Sequence, residues 1–93
     1  MTLLHDVMGA VAAADPEGLL ARGAPDDEYS NESKKIAARI GEVVDAAAGE
    51  RLAREVFEHS FSTGKHPRVY RAGKFDELGA ALVQIARAPT IDR

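Results

Sequence analysis

The chain contains no cysteine and no tryptophan, and its only aromatic residues are Tyr29, Phe57, Phe61, Tyr70 and Phe75. Without cysteine there is no disulfide framework, no thiolate zinc site and no thiol nucleophile, so a packed apolar core must hold the fold alone. Scarce aromatics in an alanine-rich background favour helices over sheets. No stretch approaches the roughly 18 apolar residues of a membrane span. The N-terminus carries no basic leader, and His5 and Asp6 interrupt its apolar residues early, so a cytoplasmic protein is expected. The signatures of several chemistries are missing as well. Ser30, Ser33, Ser60 and Ser62 lie in no G-x-S-x-G elbow, and no glycine-rich phosphate loop ends in G-K-S/T. The histidines at 5, 59 and 66 show no His-x-x-x-His spacing, and the acids do not follow the alternating pattern of a calcium loop. The chain is therefore read as not an enzyme, with no cofactor and no metal.

What is present is helical periodicity. At 93 residues the chain is expected to form one domain with a single core. Leu3, Leu4, Val7, Met8 and Val11 draw an amphipathic stripe that predicts a helix over about 2–14, capped by Thr2. Ile36, Ile40, Val43, Val44 and Ala47 repeat at helical spacing and predict a second helix over about 30–48, with Ser30 as its N-cap and Gly49 as its stop. Leu52, Val56, Phe57, Ser60 and Phe61 predict a third over about 50–62, forming a hairpin with the second. Phe75, Leu78, Leu82 and Ile85 predict a fourth over about 75–88, ended by Pro89. The expected fold class is all-α: a small four-helix bundle with a long loop or short helical turn between helices 1 and 2.

That connection is the most informative stretch. Asp15-Pro16 is a helix-start signal, because the carboxylate can accept from orphan backbone N–H groups and proline suits the first helical position. Leu19 and Leu20 in a single turn from Pro16 to Arg22 tuck the connection onto the core, and Gly23 stops it. Asp26, Asp27 and Glu28 then gather before the next helix, where the macrodipole favours negative charge, and Tyr29 stands beside them. Residues 1–33 hold seven acids against Arg22 alone, a net charge of −6, whereas 34–93 hold eight acids and eleven bases, +3. An acidic pole of this kind repels nucleic-acid phosphates and steers a basic protein partner, with more effect on association rate than on affinity.

Two other constellations bear on function. Glu55 and His59 share a helix face at i, i+4, which suits a surface pair and, less directly, acid–base or metal work. Lys65, His66, Arg68, Tyr70, Arg71 and Lys74 form a basic loop with an aromatic, read as a solvated connector ahead of a docking or nucleic-acid contact.

The order Asp15-Pro16, then Gly23-Ala24-Pro25-Asp26-Asp27-Glu28-Tyr29-Ser30, then Ile36 and Ile40 one turn apart, resembles a family of small uncharacterised bacterial proteins. Their N-terminal half carries a helix, an aromatic-D-P-hydrophobic element, a D-E-Y element and an isoleucine-bearing helix. The resemblance spans residues 3–61, with Ala14 where the family has an aromatic. It implies a compact all-α fold without established chemistry, and some small acidic proteins of this look are toxin-neutralising immunity proteins. The leading expectation is a non-catalytic protein-binding module whose site is Asp15, Asp26, Asp27, Glu28 and Tyr29, with the phenol as apolar anchor against a basic partner protein and no membrane or nucleic-acid target. Two alternatives stay open: a small ligand- or metal-binding domain or enzyme built on an interhelical pocket, and a homo-oligomer that buries whichever of Phe57, Phe61 and Phe75 the monomer exposes.

Overall fold

A computed structural model describes residues 3–16, 18, 20–23, 28–62 and 69–87. Among them every regular element is helical: α1 (Leu3–Ala14), α2 (Ser30–Ala38), a 3₁₀ turn (Ile40–Glu42), α3 (Ala46–Phe61) and α4 (Asp76–Arg87). The all-α bundle expected from the periodicity is therefore the observed architecture. Helices α3 and α4 form the most extensive pair; α1 lies against both α2 and α4, and α2 against α3.

The apolar stripes meet in one core. Val7 and Val11 from α1, Ile36 from α2, Leu52, Ala53, Val56 and Phe57 from α3, and Leu78, Leu82 and Val83 from α4 are all buried. Phe57 is its hub, with ring centroids 5.7 Å from Tyr29, 5.9 Å from Phe61 and 5.3 Å from Phe75; Tyr70 meets Phe75 edge to face at 5.2 Å. All five aromatics thus form one connected cluster, a geometry that adds specific ring contacts to the area they bury. Phe57 and Phe75 are buried and Phe61 half-buried, which leaves little of the phenylalanine surface that self-association through these rings would use.

The α2–α3 boundary differs from the expected one. The apolar spacing suggests helix to 48 and a stop at Gly49; instead α2 ends at Ala38, the chain turns through the 3₁₀ segment, and α3 starts at Ala46. Two local causes account for this. Asp45 is extended (φ −153°, ψ 176°) and its Oδ1 accepts from the Ala48 N–H at 2.8 Å, a strong N-cap ahead of the glycine. Gly49 is needed inside α3, because a Cβ there would lie 2.7 Å from the Gly79 carbonyl oxygen and one on Gly79 would lie 2.6 Å from the Glu50 nitrogen. The two glycines let the α3 and α4 backbones touch. Val44, assigned to the apolar face by spacing, is consequently 69% exposed, and Ala47 is exposed as well, while Val43 is buried.

Smaller differences sit at the other helix ends. Ser30 is the first residue of α2 rather than its cap; Tyr29 occupies the cap position without a side-chain bond to the helix. Phe75 is buried in the turn preceding α4. Thr2, Leu19 and Ala88 to Arg93 lie outside the described residues.

Candidate functional site

The α1–α2 connection is built around Asp15. Its amide donates to the Val11 carbonyl at 2.8 Å, closing α1. The backbone then turns into the left-handed region (φ 42°), which is uncommon for a residue with a Cβ. The carboxylate is fully engaged by this turn. Oδ1 accepts from the Leu20 N–H at 3.1 Å and Oδ2 from the Ala21 N–H at 3.0 Å, while Oδ1 also accepts the Tyr29 hydroxyl at 2.7 Å. Tyr29 is 3% exposed, its ring against Phe57. Tyr29, expected as the apolar anchor toward a partner, is thus buried inside the chain, and Asp15 is a structural acceptor rather than a displayed charge. A phenol beside an apolar core buries its ring and satisfies its hydroxyl at the nearest acceptor, which here is Asp15. Glu28, next in the chain, is exposed. Asp26 and Asp27 lie outside the described residues. Of the five expected site residues, the structure brings two together as an internal tether and leaves one at the surface.

Glu55 and His59 line a cavity of about 250 Å³ between α2 and α3 with Lys35, Arg39 and Val56. Arg39 dominates it. Its Nε and Nη2 donate to Glu42 Oε2 and Oε1, both at 2.9 Å, and Nη2 reaches Glu55 Oε2 at 3.1 Å. These bonds, Glu42 foremost, hold the guanidinium above its ordinary range, and the same contact holds the Glu42 carboxyl below the usual carboxylate range. In this cavity Glu55 pairs with the Arg39 guanidinium through one carboxylate oxygen rather than with His59.

From the basic loop, Lys65, His66 and Arg68 lie outside the described residues. Tyr70 is buried and its amide donates to Glu58 Oε2 at 2.9 Å. The Lys74 ammonium lies 5.8 Å from the Tyr70 ring centroid, within cation–π range. Arg71 and Lys74 border a second cavity of about 380 Å³ that also touches Asp15, Asp76 and Glu77, a rim of mixed sign.

The structure also reveals Glu50, which the apolar pattern treats only as a helix start. It is 5% exposed; Oε2 accepts from the Gly73 N–H at 3.2 Å and, near the limit, the Phe75 N–H at 3.4 Å, and Oε1 pairs with Arg54 at 3.2 Å. Glu50 therefore ties the turn that precedes α4 to α3, a contact between residues 23 and 25 positions apart that no local spacing encodes. Among the described residues no three His, Asp or Glu side chains gather as a metal site, and no helix is long and apolar enough to cross a membrane. Comparison with protein-family models, with curated proteins and with solved structures finds no match.

Proposed function

We propose that this chain is a non-catalytic protein-binding module that offers the acidic connection between α1 and α2 to a basic partner protein, and that an immunity-like neutraliser is the sharpest form of that role. The reading rests on the acidic charge around Glu28, since Asp15 and Tyr29 are used inside the connection. The Tyr29 hydroxyl and the Asp15 carboxylate join the two ends of the connection at 2.7 Å, while Glu28 beside the tether stays exposed. The sequence places Asp26 and Asp27 next to Glu28 within a region of charge −6, which favours steering of a cationic surface. In this reading Asp26, Asp27 and Glu28 meet the partner, and Asp15 and Tyr29 hold the connection in place.

The test is affinity capture with two baits, the native chain and the triple variant Asp26→Asn/Asp27→Asn/Glu28→Gln, followed by kinetics on the captured protein. Neutralisation is expected to slow association about tenfold or more at low ionic strength and to flatten its salt dependence. A partner that binds both baits with the same rate and the same response to salt would overturn the reading.

A further inference from the structure

We infer that the elbow 39–45 is a hinge through which the α1–α2 pair can be exchanged between two copies of this chain. The apolar residues Ile36, Ile40, Val43 and Val44 keep helical spacing straight through the elbow, so the same segment suits one continuous helix from Ser30 to Phe61. Nothing in the elbow's backbone forbids it. Residues 39–45 include no proline and no positive φ, and a Cβ on Gly41 would meet nothing within 4 Å. The elbow already contains helix-like bonds one residue short: Arg39 N–H to Ile36 O at 3.0 Å, Glu42 N–H to Arg39 O at 2.9 Å and Val43 N–H to Ile40 O at 3.0 Å. Straightening converts these to the four-residue spacing of an α-helix.

The bend is held by few contacts. They are the Asp45 cap on Ala48, the burial of Val43, the packing of Ile40 against the core, an Arg87 Nη2 bond to the Val44 carbonyl at 3.4 Å, and the Arg39 bonds to Glu42 and Glu55, which lie at the surface. The parts on either side of the hinge are each coherent. Helices α1 and α2 pack on one another and are tied by Tyr29 and Asp15, while α3 and α4 interlock at Gly49 and Gly79. In the bent chain α1 docks on α4 and α2 on α3. Straightening withdraws α1–α2 and uncovers Val7, Val11, Tyr29 and Ile36 together with the surface they covered. A second copy opened in the same way offers that identical surface, so exchange remakes the contacts on both sides and alters only the hinge.

Ala46→Pro separates the two forms. Position 46 is the first residue of α3, where proline is favoured, and Asp45 before it already has the extended conformation that proline imposes on its predecessor. In the straight helix the new ring would strike the Glu42 carbonyl and break the run. Gly41→Ala/Asp45→Ala acts the other way, raising helix propensity and removing the cap. Each protein is refolded at high concentration, sized by chromatography with light scattering, then diluted and sized again. The double variant is expected to hold about fivefold more dimer than the native chain, the dimer to survive dilution because release requires unpacking α1–α2, and added Ala46→Pro to abolish it. Dimer unchanged in the double variant, dimer that tolerates Ala46→Pro, or dimer that dissociates on dilution would overturn the exchange. If the double variant fails to fold by circular dichroism, the native chain and Ala46→Pro are compared directly. Persistent dimer in the native chain alone upholds the exchange, and equal dimer content in the two overturns it.

Discussion

The two helix pairs of this molecule are held together by different means. In α3–α4 the backbones meet at Gly49 and Gly79, a buried carboxylate from α3 holds the turn that leads into α4, and the aromatic cluster fills the adjoining space. In α1–α2 the helices are joined by a connection rich in acids, and a hydrogen bond from Tyr29 to Asp15 spans it. One pair is fixed by shape and the other by a polar tether. Shape is intolerant of added atoms, whereas a tether is sensitive to the loss of one oxygen.

The same glycine substitution should therefore have opposite signs in the two pairs. Gly79→Ala places a methyl 2.6 Å from the Glu50 nitrogen and 2.7 Å from the Ala46 carbonyl, and both neighbours are backbone that cannot rotate away. A loss of about 2–3 kcal/mol is expected, lowering Tm by about 10–20 °C for a domain of this size. Gly9→Ala on α1 meets nothing within 4 Å and lies in a helix interior, so it should add about 0.5–1 kcal/mol. Thermal and urea unfolding of the two variants checks the pair. If Gly79→Ala were neutral, the close crossing would not be what holds α3 on α4.

Tyr29→Phe probes the tether with the ring left in place against Phe57. Removing the hydroxyl takes one hydrogen bond from a carboxylate that keeps its bonds from Leu20 and Ala21, so a cost of about 1–1.5 kcal/mol is expected. Faster amide exchange should be confined to Leu20, Ala21 and the first turn of α2. Exchange that rises equally in α4 would show the two pairs to be one cooperative unit and dissolve the contrast between them.

The apolar faces are legible in the sequence because burial repeats at helical spacing: Val7, Val11, Ile36, Leu52, Val56, Phe57, Leu78 and Leu82 all fall on those faces and all are buried. The pattern misleads where one periodicity runs through two elements. The spacing of Ile36, Ile40, Val43 and Val44 fits a single helix, and only the cap at Asp45 and the Gly49–Gly79 approach place the break before Ala46. The connection is legible as a location, since Asp15-Pro16 and the run to Tyr29 do mark the turn between helices. The side-chain roles are not, because whether a tyrosine faces out or in depends on Phe57, far along the chain. Glu50 is hidden for the same reason: its partners are amides of a distant turn.

The smallest expected effect lies where the pairs meet, at Arg39 on the end of α2. Its two-pronged bond holds the Glu42 carboxyl below its ordinary range, so Glu42 is more acidic in the folded chain than in the unfolded one. The sign follows from that direction. The contribution is present in full above the unfolded value and is lost as pH falls through the lowered folded value, because the unfolded chain then takes up the proton first. Side-chain NMR titration should find Glu42 protonating at a lower pH in the native chain than in Arg39→Ala, where the carboxyl returns toward its ordinary range. High salt should narrow the difference, as the pair lies at the surface. A Glu42 that titrates alike in the two proteins would mean that the Arg39 bond is not populated in solution, and the elbow would then rest on the Asp45 cap, the packing of Ile40 and Val43 and the Arg87 bond to the Val44 carbonyl.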